Sequence, residues 1–172
     1  LLLLTRILHL FFLLTRPMTL GARCLLLSKD ESIILVKHRY QLGWHLPGGG
    51  MRPGETAKHA LRREVLEEAG IEIVGEPKLH GVFLNDKISR RDHVSVYISD
   101  NFKKIPNAKI SWEISECREF PIDALPSDIE PGTKNRILEA IGQSEVSEFW
   151  RLNAAQDSHR TSKNQKNSLR SI

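Results

Sequence analysis

The spacing of apolar and polar positions divides this chain into segments of different period. Residues 1–14 are apolar at 11 of 14 positions. On a helical wheel Thr5, His9 and Arg16 fall within about 40° of each other, with Arg6 close by. That pattern predicts a helix over residues 1–17, with a broad apolar face, ended by Pro17. Residues 19–27 and 32–38 are apolar, strand-like runs, and Lys29-Asp30-Glu31 between them predicts a hairpin. A glycine- and proline-rich stretch, 43–54, follows. From Ala57 to Ala69 the pattern becomes helical, with Thr56 as N-cap and Gly70 just past the end. Residues 72–74, 78–84 and 93–99 read as strands around a polar loop at 85–91. Residues 131–141 read as a second helix. From Arg151 onward Ser, Asn, Gln, Lys and Arg dominate, and a tail over 151–172 is expected to be disordered.

The helix at 57–69 carries an apolar ladder and three carboxylates. Ala57, Leu61, Val65 and Ala69 form its apolar ladder at i, i+4. With Ala57 at zero, Glu68 falls at about +20° and Glu64 at about −20°, and Glu67 lies about 80° to one side. Glu68 therefore belongs to the stripe that faces the protein. A solvated acidic face would lie opposite that stripe, and a buried carboxylate must be paired or bind a cation. Three carboxylates on one turn need more positive charge than Arg63 supplies. A hard cation with oxygen ligands, Mg²⁺ or Mn²⁺, answers that need.

The run Gly49, five residues, Glu55, seven residues, Arg63-Glu64-Val65, one residue, Glu67-Glu68, one residue, Gly70-Ile71 matches GX5EX7REUXEEXGU, where U is apolar. This resembles the Nudix box, the signature of the Nudix hydrolases. The resemblance spans residues 19–141 and implies an α/β fold, a Nudix-type α/β/α sandwich with a mixed β-sheet, over 18–150. In its terms residues 110–126 correspond to the closing strand and its corner, with Phe120 where Trp-Phe is frequent. It implies divalent-metal-dependent hydrolysis of a diphosphate linkage in a nucleoside diphosphate derivative. Glu64, Glu67 and Glu68 are then the metal and base cluster, the Gly48 carbonyl a further metal ligand, and Arg63 with Glu55 a brace between loop and helix. The alternative from another class is a Nudix domain that binds or regulates without turnover. Trp44 is either core or a wall of the substrate cleft. Arg90 and Arg91 are either phosphate contacts or loop charges, and Glu113 and Glu116 read as structural.

Charge changes the picture only at the end of the chain. The formal net charge is +4, but residues 151–172 hold five basic residues and one acid. The 20 basic and 20 acidic residues that remain make 1–150 neutral, so the partner expected is a small nucleotide and not nucleic acid. Cys24 and Cys117 lie in apolar settings without partner spacing, which points to buried free thiols in a reducing, cytoplasmic compartment. The apolar N-terminal segment is too short to span a membrane and lacks a small-residue cleavage site. It suits packing on the domain, a homodimer interface, or peripheral membrane contact through residues 1–16.

Overall fold

A computed structural model describes residues 17–151. The N-terminal helix and most of the tail expected from the sequence lie outside them. In chain order the strands are β1 (Thr19–Leu26), β2 (Ser32–His38), β3 (Trp44–His45), β4 (Gly48–Gly50), β5 (Ile71–Ile73), β6 (Lys78–Leu84), β7 (Asp92–Ser99), β8 (Phe102–Lys104) and β9 (Ile114–Pro121). Helix α1 (Ala57–Ala69) follows β4, and α2 (Pro131–Ala140) follows a short 3₁₀ turn at Ile122–Ala124.

The strands form a mixed four-stranded sheet, β4-β1-β7-β6, a three-stranded sheet, β3-β2-β9, and the pair β5-β8. β1 runs parallel to β7 from Thr19↔Asp92 to Leu26↔Ser99 and antiparallel to β4. The expected hairpin between β1 and β2 opens after a single bridge, Leu27↔Ile33. Its turn is present, closed by the Glu31 N–H on the Ser28 carbonyl at 3.2 Å with Glu31 at φ 57°. Both edges of β1 are taken by β4 and β7, so β2 pairs with β3 and β9 instead.

Alternation along β1 and β2 sorts their side chains into two cores. Cys24, Leu26 and Ile34 pack with Ala60, Leu61 and Val65 of α1. Leu25, Ile33 and Leu35 pack with Trp44, Phe83, Ile137 of α2 and Trp150. The strands are thus covered on both sides, the α/β/α sandwich of the Nudix fold. Trp44, 4% exposed, lies in the second core with its ring 4.8 Å from that of Phe120. Both cysteines are free, but only Cys24 is buried; Cys117 is exposed, because β9 is the outer strand of its sheet. Among the described residues no helix is long and apolar enough to cross a membrane.

Helix α1 begins and ends where its capping residues place it. The Thr56 hydroxyl accepts from the His59 N–H at 3.2 Å. Gly70, at φ 65°, closes the other end with its N–H on the Leu66 carbonyl at 3.1 Å. Ala60, Leu61, Val65 and Glu68 are its buried residues. Strand β4 was not legible as a strand, since glycine disfavours one. Here the absence of Cβ is what allows the pairing. A Cβ on Gly48 would lie 2.2 Å from the Ala22 carbonyl oxygen, at φ 138°. One on Gly49 would lie 2.7 Å from the Glu64 carboxyl carbon.

Candidate active site

The junction of β4, the loop after it and α1 gathers the acidic residues. Glu55 sits just ahead of the helix, and its Oε2 accepts the Arg52 N–H at 3.0 Å. Arg63, two turns along α1, reaches back with Nε to Glu55 Oε1 and Nη2 to Glu55 Oε2, both at 2.9 Å. Nη2 also donates to the Gly50 carbonyl at 3.2 Å. This planar fork ties loop to helix and holds the Glu55 carboxyl down at about 2. Arg63 Nη1 lies 2.5 Å from Glu64 Oε1 and 3.5 Å from Glu67 Oε2. One guanidinium is therefore the local counter-charge for three carboxylates.

Glu68 is set apart from them. It is 5% exposed, its Oε2 accepts the Gly48 N–H at 2.8 Å, and its Oε1 stands 3.8 Å from His38 Nε2. Burial pushes the Glu68 carboxyl up to about 7, although the Gly48 N–H and Arg23 pull it down; Glu64 and Glu113 add to the rise. Burial also pushes His38 down to about 4, with Arg23 and His45 acting the same way. At neutral pH the imidazole beside Glu68 is therefore neutral, and the 3.8 Å approach is not an ion pair. Neither ring nitrogen of His38 has a hydrogen-bond partner among the described residues. The Gly48 contact to this cluster runs through its N–H, which orients Glu68.

A cleft of about 520 Å³ opens beside this junction. Gly49 and Gly50 form part of its wall, and Glu64 abuts Gly49. Arg23, Lys87 and Arg151 supply its cations, and Leu20, Leu42, Ile88, Val94 and Trp150 its apolar surface. Arg23 donates to the Leu46 carbonyl at 2.6 Å, and Arg151 pairs with Glu130 at 2.6 Å. Arg90 and Arg91 are exposed and line no part of the cleft. Glu113 accepts the Tyr40 hydroxyl at 2.8 Å, and Glu116 pairs with Arg118. Sequence reasoning missed Arg23, Lys87 and Trp150. Arg23 offered one signal, a charge at a single position inside an otherwise apolar strand.

The NUDIX domain model matches residues 17–140. The chain belongs to the Nudix family. Among Nudix relatives, a Bacillus subtilis protein provisionally named 8-oxo-dGTP diphosphatase is 38% identical over 76 residues, 44% of this chain and 50% of that protein. An uncharacterized Nudix hydrolase of the same organism is 30% identical over 111 residues, 58% of this chain and 68% of its own length. Human diphosphoinositol polyphosphate phosphohydrolase 2 is 40% identical over 70 residues, 40% of this chain and 38% of that enzyme. The match thus spans half or less of the two relatives with a named activity. The MutT Nudix hydrolase of Burkholderia pseudomallei shares the fold at a TM-score of 0.60 and 23% identity, covering 69% of this chain and 95% of that one.

Nudix hydrolases generally use divalent metals. Among the described residues no three or more His, Cys, Asp or Glu side chains gather closely enough to hold a metal ion. Arg63 accounts for this, since it draws Glu64 and Glu67 to itself. The donor set nevertheless fits a hard cation: its donors are carboxylate oxygens, and one of them, Glu68, is buried without a charged partner at neutral pH. Mg²⁺ ordinarily keeps several waters and binds one or two carboxylates together with substrate phosphates, so a closed cage is not required.

Proposed function

We propose that this chain hydrolyses a diphosphate linkage in a nucleoside diphosphate derivative, with Mg²⁺ held by Glu64, Glu67 and Glu68. The observation that carries the reading is the buried Glu68 carboxyl, fixed by the Gly48 N–H on one side of β4 while a cleft opens on Gly49 and Gly50. A metal there would neutralise phosphate oxygens and promote ionisation of the attacking water. Arg63 and Glu55 keep the glutamate-bearing face of α1 against the loop, so the carboxylates are oriented before substrate arrives. Without metal, burial raises the Glu68 carboxyl to about 7, a cost that a cation held against it would relieve. The relatives named as a diphosphatase and a phosphohydrolase support the reaction class. The direct test is release of phosphate or pyrophosphate from a panel of nucleotides with Mg²⁺, Mn²⁺ or chelator. No turnover of any member with either metal would leave a binding or regulatory module in its place.

The boundary of the tail has its own consequence. Arg151 lines the cleft and pairs with Glu130, whose other oxygen accepts the Thr133 N–H at 2.7 Å and caps α2. Deleting residues 152–172 is expected to leave kcat/KM within about threefold, well under 1 kcal/mol, since their polar composition gives them little to bury. Removing Arg151 as well should raise KM. A tenfold loss from the shorter deletion would show that the tail reaches the site.

A further inference from the structure

Helix α1 covers only part of its sheet. In the order β4-β1-β7-β6 it packs on β4 and β1, and β6 forms the far edge. Side chains aligned across a ladder share a face. On β7, His93, Ser95 and Tyr97 are aligned with Leu20, Ala22 and Cys24 of β1. On β6, Leu84, Val82 and Leu79 are aligned with the same three. All lie on the face that meets α1 at Ala22 and Cys24. Exposure rises across that face toward β6. Ala22 and Cys24 are fully buried and Ser95 and Tyr97 nearly so, but Val82 is 51% and Leu79 57% exposed. Leu20, at the start of β1, is 38% exposed, and Met18 just before it 66%.

Scattered apolar residues on a surface need no explanation. These share one sheet face and reach an edge strand, where the layer that covers the rest of the sheet stops. An apolar sheet face is normally buried against another element, and left open at an edge it invites association. One end of β6 is already capped, since the Leu84 N–H donates to the Glu148 carbonyl and the Leu84 carbonyl accepts the Trp150 N–H. Val82 and Leu79 lie beyond that cap.

The chain itself holds a segment of the right character and reach. Residues 1–16 are apolar at 11 of the first 14 positions and run directly into Met18 and β1. From β1 to β6 is two strand spacings, about 10 Å, and Leu84 to Leu79 spans about 17 Å. A helix of 14 residues is about 21 Å long. The segment can therefore turn at Pro17, cross β7 and lie along the open half of the sheet. Its tether gives it an effective concentration of about millimolar at this face, ahead of a second copy or a lipid surface at ordinary concentration. We propose that residues 1–16 pack against Leu20, Val82 and Leu79 of the same chain and complete the layer that α1 begins. The apolar face of the segment is then occupied by the domain, not by a homodimer partner or a membrane.

The test places p-benzoylphenylalanine at position 82 of the full chain, irradiates it at low micromolar concentration and reads the cross-linked peptide by mass spectrometry. The expected result is a cross-link to residues 1–16 in a species that still migrates as one chain on a denaturing gel. A cross-link to a second chain, a cross-link elsewhere in the same chain, or none at all overturns the proposal. Hydrogen exchange on the full chain gives an independent reading, with Leu79→Thr and Val82→Thr combined so that the strand keeps suitable residues. Amides of residues 1–16 should exchange at least about tenfold faster in this double variant than in the natural chain, with β2 and β9 unchanged. Equal exchange in the two overturns the proposal, whether the segment is open in both or protected in both. A natural chain that is dimeric, or that binds vesicles of phosphatidylcholine and phosphatidylserine, and loses that property in the double variant also overturns it. If the double variant does not fold, the cross-link decides.

Discussion

Glu68→Gln is expected to lower Mg²⁺-dependent turnover at least about a hundredfold, on the scale of roughly 3 kcal/mol of lost transition-state stabilisation. Gln keeps the shape of the side chain and still offers an oxygen to the Gly48 N–H, so the 2.8 Å contact can survive. What it removes is a charge and the capacity to take up a proton. Glu72 on β5 is the control. It pairs with Lys103 at 3.1 Å on the exposed face of its strand, and Glu72→Gln should be nearly silent. Full Mg²⁺-dependent activity in Glu68→Gln would sink the assignment of this carboxylate to metal or proton transfer.

The same variant carries a stability signature without metal. The folded state raises the Glu68 pKa from 4.5 to about 7, so between those values it binds more proton than the unfolded chain. Its contribution is present in full below about pH 4.5 and is lost as pH rises through 7. His38 works in the opposite sense, because its folded pKa is lowered to about 4 and stability is lost as pH falls below 6.5. The two slopes oppose each other in the natural chain, and the difference between variants isolates Glu68. In chelator, Glu68→Gln should match the natural chain near pH 4.5 and exceed it by on the order of 2–3 kcal/mol near pH 8. Urea melts at the two pH values read this difference. A gap that fails to widen with pH would show that the buried carboxyl does not carry the strain of an uncompensated charge.

Helix α1 was the most legible part of the fold because its signals were redundant. Capping residues, the apolar ladder and the terminal glycine agreed on 57–69, and the wheel put Glu68 on the inward face where the structure has it. The resemblance implied a brace between Arg63 and Glu55, and these two side chains pair in the structure. Strands β3, β4 and β8 were not readable, since two or three residues give no period and three glycines argue against a strand. The cleft was hidden for a different reason. Arg23, Leu42, Ile88 and Trp150 come from β1, two separate loops and the end of the described chain, and only the sheet order brings them together. Arg90 and Arg91, which the sequence leaves as either phosphate contacts or loop charges, do not line the cleft, while Lys87 of the same loop does.

The largest stability effect is expected at a residue that carries no signal in the amino-acid pattern. Arg136 of α2 is 0% exposed, and its Nη2 lies 2.6 Å from Glu139 Oε1, one turn on. Its Nη1 donates to the Phe149 carbonyl at 2.8 Å, and its guanidinium stacks 3.8 Å from the Phe83 ring centre. Glu139 Oε1 in turn accepts the Ser147 N–H at 3.0 Å, and His80 stands 3.3 Å from its Oε2. The pair therefore anchors residues 147–149 to α2, while the Glu148 carbonyl and the Trp150 N–H bond to Leu84 at 2.9 Å each. Arg136→Met takes the guanidinium away from a fully buried carboxylate, a change that typically costs about 3–5 kcal/mol. For a chain of this size that corresponds to a Tm lower by roughly 10–15 °C. Arg136→Met with Glu139→Leu removes both charges and should melt higher than the single variant, because a buried carboxylate that has lost its guanidinium is gone. Trp150 lines the cleft, so below the melting transition Arg136→Met should also raise KM through the loosened segment. A melt within about 1 kcal/mol of the natural chain would mean that the segment is held by Leu84 and the packing of Trp150 against Phe83 and Gly132 instead.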